Sequence, residues 1–243
     1  HPDWVAPDGI VQELMEELVK TGKPIIAIVF AGRPLTIAWL SENINAILFT
    51  GHLGTRSGDA IADILSGEYN PSGKLVMSFP RNTGQIPVFY NFKNTGRPFK
   101  ADDPYTGKYL DIVNEPLYPF GYGLSYTNFE YSNLKLSRKT MKNTDSISVT
   151  FTLKNSGKYD GTEVAQLYVR DLVGSVTRPV KELKGFTNVF LKAGEQKELS
   201  FLITVSDLKF LNDNMKFVAE PGQFKVYVGG NSIQLVEADF ELL

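Results

Sequence analysis

In the stretch AILFTGHLGTRSGDAIADILSGEYNPSGKLVMSFP, residues 46–80, an apolar run from Ala46 to Phe49 ends in a loop with Gly51, Gly54 and Gly58. Ala60, Ile61, Ile64 and Leu65 then recur at helical spacing until Gly67. That pattern predicts a strand, a glycine turn and a helix. Asn70-Pro71-Ser72-Gly73 spells a turn, and Leu75 to Phe79 reads as another short buried strand. Strand, helix and strand at this spacing predict a parallel α/β layer, whose ligands sit in loops at the carboxyl ends of the strands. Thr50 to Gly58 is therefore the first candidate site, with the competing reading that its glycines only let the chain turn.

Upstream, Asp8 is a candidate cap for a helix whose apolar stripe is Ile10, Val11, Leu14, Leu18 and Val19, closed by Thr21 and Gly22. Pro24 opens IIAIVF, an apolar run without alternation, which predicts a strand covered on both faces. A second helix is expected over about 35–41. Downstream, residues 81–116 have no sustained period and are dense in Gly, Pro, Asn and Asp, as a functional loop would be. Residues 117–126, LYPFGYGLSY, read as a packed connector. Beyond Thr127 apolar and polar residues alternate in about seven segments split by turn signals, which predicts a β-sandwich and a boundary near Tyr126.

A net charge of −2 supplies no basic field for nucleic acid, and no apolar run approaches the roughly 20 residues of a membrane helix. Without cysteine there is no thiol catalysis and no disulfide framework. The first residue is His1, and a cut amino end is the expectation, which would leave any export signal or upstream domain outside these residues.

His1 and His52 are the only histidines, so a histidine triad or a two-histidine metal site is not expected. His52 in the glycine loop is a candidate ligand contact against a plain solvent-facing reading. Asp59 and Asp63, four apart, share a helix face as a candidate acid–base pair, against the favoured reading that Asp59 serves the first helical turn, where the dipole suits an anion. Arg56 and Arg97 are candidates for binding an anion or a sugar hydroxyl. The Gly-x-x-Gly-x-x-x-Gly order lacks the opening that admits a pyrophosphate, which ranks a nucleotide-binding flavodoxin-like protein last. Tyr159, Tyr168, Phe186 and Phe190 are expected to face the sandwich core.

The segments GKPIIAIVFAGRPLTI, 46–80 with RNTGQIPVFYN, KNTGRP, LYPFGYGLSYTNFEYS and SVTRPVKELKGF, in that order, resemble the C-terminal half of a family 3 glycoside hydrolase. Within that family the periplasmic β-glucosidases of Gram-negative bacteria are the nearest likeness. The resemblance implies an α/β sandwich, a mostly parallel sheet with flanking helices, over 1–125, truncated at its amino end. An all-β fibronectin type III-like sandwich would follow over 126–243. It also implies a retaining β-glucosidase that removes terminal non-reducing β-D-glucosyl residues from oligosaccharides, periplasmic or secreted, without cofactor or metal. Its nucleophile would lie on an N-terminal barrel and its acid/base glutamate just upstream of the helix near Ile10. No catalytic residue is therefore assigned here, and Glu13, Glu42 and Glu68 are read as solvent-facing. Relatives often carry Trp at the position of Gly51 and Glu at that of Arg56, so strict glucose specificity is in question.

The substrate-binding candidates are thus His52, Arg56 and Arg97, and the chain alone is expected to be inactive. Its expected partners are the barrel of the same protein and, through a bare apolar face, a second copy. The alternative from another class is a non-catalytic carbohydrate-binding or scaffold module, which exposed aromatics in a row on the sandwich would favour.

Overall fold

A computed structural model describes residues 9–243. They fall into two compact units: residues 9–69, 77–88 and 108–119 in the first, and 70–76, 89–107 and 120–243 in the second. The candidate cap Asp8, and His1, lie outside the described residues, as does the side chain of Ile10.

In the first unit, helix α1 (Gly9–Val19) is followed by a turn at Gly22, whose φ of +68° suits a residue without Cβ. Strand β1 (Ile26–Val29) pairs in parallel with β2 (Ala46–Phe49), Ile26 opposite Ala46 and Val29 opposite Phe49. Between them α2 spans Ala38–Asn43. Helix α3 (Ser57–Ser66) follows the glycine loop and stops at Gly67, which is left-handed at φ +83°. A small core forms where Phe49 meets Phe79 edge-on at 5.0 Å, Phe79 meets Tyr118 at 6.1 Å, and the Tyr118 hydroxyl bonds Ser41 Oγ at 2.7 Å. Gln85 is buried beside it, accepting from Arg81 N at 2.6 Å and donating to Val113 O at 3.0 Å.

Three expectations fail here. Leu75 to Phe79 does not join β1 and β2. Leu75 instead exchanges backbone bonds with Tyr122 and Gly121 (2.8 and 2.7 Å), and Phe79 with Tyr118 and Leu117 (both 2.8 Å), so residues 117–122 capture it in antiparallel pairing. The mostly parallel sheet with flanking helices is consequently not formed by the described residues, in which this unit holds one parallel pair. Nor is β1 covered on both faces: Ile26 is 51% exposed, Ile28 37% and the following Phe30 54%. The α1 stripe is likewise open at Val11, Leu14 and Leu18, because an apolar period buries a face only where a second layer stands against it.

The second unit is a sandwich of two sheets. One runs β4 (Thr140–Met141), β12 (Leu235–Leu242), β11 (Gly222–Gly229), β6 (Gly161–Asp171), β7 (Glu182–Leu191); the other runs β3 (Phe129–Leu136), β5 (Ser146–Asn155), β8 (Gln196–Thr204). All pairings are antiparallel except β12 with β4. Four-residue helix α4 (Val205–Leu208), boxed by Thr204 and Asp207, and a short pair β9 (Phe210–Leu211) and β10 (Phe217–Val218) complete it. Inward residues of both sheets interdigitate: Ile147, Val149, Phe151 and Leu153 from β5, Leu167 and Val169 from β6, Val226 and Val228 from β11. Of the four aromatics expected in the core, only Tyr168 is buried. Tyr159 is exposed in the turn before β6, and Phe186 and Phe190 are exposed because edge strand β7 turns its even-numbered residues outward along 186–190.

Residues 70–76 are built into this unit through buried polar contacts. Lys74 Nζ donates to Glu163 Oε2 and Gly123 O (3.0 and 3.1 Å), and the Tyr131 hydroxyl donates to Glu163 Oε1 at 3.0 Å. Burial, reinforced by that carboxylate, drives the Tyr131 phenol far above its ordinary value. Asn70 Nδ2 donates to Asp160 O at 2.8 Å while its Oδ1 accepts from Ser125 Oγ and Tyr126 N. A Cβ on Gly123 would stand 2.2 Å from Gly73 O, and one on left-handed Gly121 2.3 Å from Gln166 Oε1, so those glycines of PFGYGLSY serve close packing.

Candidate functional site

The candidate residues occupy two places, one in each unit. In the first unit the loops after β1 and β2 meet at the carboxyl ends of the parallel pair. Thr50 ties them, its N and Oγ1 both donating to Val29 O (3.0 and 3.3 Å), and Gly51 turns the chain at φ +64°. His52 is exposed and lies against Gly32, where an added Cβ would be 2.9 Å from Nε2. A side chain at position 32 would displace the imidazole from this place. Arg56 starts α3 and its Nε donates to Asp59 Oδ2 at 2.7 Å, both side chains open to water. Asp59 thus serves the first turn of the helix and a surface ion pair, worth little in stability. The glycine loop presents an imidazole and a guanidinium four residues apart, one against Gly32 and one paired with Asp59.

Arg97 lies in the second unit, in a loop that closes on itself. Gly107 N donates to Arg97 O at 3.1 Å, Lys100 N to Thr106 Oγ1 at 3.1 Å, and Thr106 Oγ1 to Asp103 O at 2.9 Å. Tyr105 N caps on Asp103 Oδ1 at 2.9 Å. The loop encloses an open cup of about 630 Å³ lined by Gly96, Arg97, Pro98, Lys100, Asp103, Tyr105 and Thr106. Two cations, one carboxylate, a hydroxyl and a largely exposed phenol ring make it suited to a polar, hydroxyl-rich molecule, which a guanidinium binds by its donors and an aromatic face by stacking. Of this lining only Arg97 stands out on sequence alone. The others are signalled by the turn chemistry of Asp103-Pro104-Tyr105-Thr106-Gly107, where an Asx-type contact orders an otherwise aperiodic stretch.

Among the described residues only two carboxylates are buried, Glu163 and Asp171, and each is beside a cation, Lys74 and Arg178. Glu13, Glu42 and Glu68 are exposed. No cluster of three metal-binding side chains and no helix long and apolar enough to cross a membrane occurs among the described residues.

The likeness to known proteins is high along most of the chain. A model of the fibronectin type III-like domain matches residues 163–232. A periplasmic β-glucosidase of Salmonella typhimurium is 48% identical over 234 residues, 96% of this chain and 31% of that protein. A β-xylosidase of Formosa agariphila is 44% identical across 92% of this chain and 30% of its own length. The crystal structure of a β-glucosidase from Listeria innocua in complex with glucose superposes with a TM-score of 0.91 at 44% identity, over 95% of this chain and 32% of that one. The chain therefore spans about a third of the length of these relatives. A model of the glycosyl hydrolase family 3 C-terminal domain matches residues 3–126, over half of the 243, and the chain belongs to that family.

Proposed function

We propose that this chain is the C-terminal portion of a retaining β-glucosidase that hydrolyses terminal non-reducing β-D-glucosyl residues of oligosaccharides. The observation that carries this reading is the 48% identity to a periplasmic β-glucosidase over 96% of the chain but 31% of that protein. Residues 1–125 serve as its α/β sandwich, completed to a mostly parallel sheet by further strands of the longer protein, and 126–243 as its fibronectin type III-like domain. The open outer face of β1 supports that completion. A periplasmic or secreted location follows from the same relative. Retaining hydrolysis needs two carboxyl groups roughly 5 Å apart across the sugar. Among the described residues the two buried carboxylates each stand beside a cation, and Glu13, Glu42 and Glu68 are exposed; the family resemblance puts the nucleophile on the N-terminal barrel and the acid/base glutamate just upstream of the helix near Ile10. No cofactor takes part.

His52, Arg56 and Arg97 are the residues of this chain assigned to substrate, with Arg97 in its cup the foremost. Hydrolysis of a chromogenic aryl β-glucoside, measured for this chain and for the full-length product of the same gene, tests the reading: activity is expected only in the longer protein. Turnover by the short chain surviving repurification would place a carboxylate pair within these residues and end the proposal. In the full-length enzyme Arg97→Ala is expected to cost about tenfold in kcat/KM; an unchanged value removes Arg97 from the site. Because a β-xylosidase is 44% identical to this chain, the matching aryl xyloside belongs in the same assay. On the open apolar faces of α1 and β1 a second copy of the isolated chain is expected to bind, read as a sedimentation coefficient that rises with concentration.

The exposed rings of Phe186 and Phe190, on one face of edge strand β7, favour a second reading as a carbohydrate-binding module. Retention of this chain on insoluble β-glucan, lost in Phe186→Ala/Phe190→Ala, would support it.

A further inference from the structure

The Arg97 cup stands on a base supplied by the sandwich. Residues 89–93, which lead into the loop, run beside 178–183, the segment that enters β7. Val180 N donates to Phe92 O at 2.9 Å, Lys93 and Pro179 form an antiparallel bridge, and Leu183 N donates to the Tyr90 hydroxyl oxygen at 3.2 Å. The Tyr90 ring stacks on Phe120 at 4.4 Å and meets the wholly buried Tyr168 edge-on at 5.7 Å. Segment 178–183 is itself pinned. Arg178 Nη2 donates to Glu182 Oε2 at 2.8 Å with its guanidinium 4.1 Å over the Phe210 ring, and Lys181 Nζ donates to Ser232 O at 2.7 Å. Past Lys93 the loop closes on itself through Arg97, Lys100, Asp103, Thr106 and Gly107. A self-closed loop on a rigid stem moves as one piece, so the stem sets where its cations stand.

We infer that Tyr90 is a positioning residue for the Arg97 cup, and that the fibronectin type III-like sandwich, through 178–183, fixes the cup's place. This rests on the reading of Arg97 as a substrate contact. A ring clamped by a stack, an edge contact and a hydroxyl bond costs little further entropy when substrate binds, which is the gain of a preorganised site.

The test uses the full-length enzyme with Tyr90→Ala, Arg97→Ala and both together, read by amide hydrogen exchange over residues 94–107 and by kcat and KM for a β-linked glucose disaccharide. Tyr90→Ala is expected to speed exchange across 94–107 about tenfold and raise KM about threefold to tenfold, leaving kcat within about twofold. In the Arg97→Ala background it should add less than about twofold to KM, since the contact it positions is gone. Raised KM in Arg97→Ala with exchange over 94–107 unmoved by Tyr90→Ala overturns the positioning role alone. So do KM effects that multiply in the double variant. An Arg97→Ala enzyme with unchanged KM overturns both the substrate reading and this inference. Should Tyr90→Ala fail to fold, Tyr90→Phe keeps the stack, loses only the hydroxyl, and must move exchange and KM in the same direction by a smaller factor.

Discussion

The two units of this chain use similar apolar letters to opposite effect. In the sandwich, alternation along β5 leaves Ile147, Val149, Phe151 and Leu153 with at most 1% of their surface open, because the facing sheet is part of the same chain. In the α/β unit the denser apolar run of β1 leaves Ile26 and Phe30 half exposed, and the buried apolar side chains among its described residues are Ile37, Leu40 and Phe79. Hydrophobic letters state a demand for cover, and only a second layer meets it. A parallel pair with one open face is half of a layered design, in keeping with a chain that spans about a third of its relatives.

The sharpest way to break that comparison is a matched pair of truncations. Phe151 is stacked between Tyr131 and Phe201, and Phe151→Ala is expected to cost about 3–5 kcal/mol, from lost transfer energy and the cavity left behind. Ile28→Ala, on the open face of β1, should cost less than about 1 kcal/mol in the same chain. Urea midpoints followed by a probe of each unit separate the two. Equal losses would mean that the β1 face is covered in solution, by a second copy or otherwise.

A smaller effect tests how residues 70–76 come to belong to the sandwich. Glu163→Gln leaves the Lys74 ammonium buried without its carboxylate, at an expected cost of about 3 kcal/mol, while the amide still accepts from Tyr131. Adding Lys74→Met removes the orphaned charge and should restore most of the loss. If the double variant is no better than the single, the pair is not what anchors Lys74.

This pair also marks what the letters could and could not convey. Helix α3 with Gly67, the strands β1 and β2 and the sandwich were all legible, because each is a local period closed by a local stop, whereas the pairing of β1 with β2 is not local. Leu75 to Phe79 was not legible. Its letters suit a strand, but its partner is 117–122, some forty residues away, and no local signal tells a parallel neighbour from an antiparallel one. The outward turn of Phe186 and Phe190 was lost for a related reason: alternation gives two faces without saying that β7 lies at an edge. Of the site, Arg97 was legible as a cation in an aperiodic loop. The cup was not, since it is assembled from turn contacts of Asp103 and Thr106 that only the folded backbone brings together.

The gentlest test compares two aspartates of the sandwich. Burial, reinforced by the neighbouring Glu220 and Glu182 carboxylates and only partly offset by the Arg178 charge and the Val173 N–H, pushes the Asp171 carboxyl above its ordinary 3.8. The folded carboxyl then holds its proton more tightly than the unfolded one, so this group's contribution falls as pH rises from 3.8 through the raised value. Asp171→Asn does not titrate, and its stability relative to the parent should improve between about pH 3 and pH 7. Asp145 is the opposite case. The Lys142 N–H, aided by Arg138, holds its carboxyl below the ordinary value, so its contribution is present above 3.8 and lost as pH falls. Asp145→Asn should therefore lose ground to the parent over the same interval. Urea midpoints of the three proteins at the two pH values measure both slopes. Slopes of equal sign would mean that Arg178 outweighs burial at Asp171, making that pair a source of stability in the sandwich and not a cost of closing it.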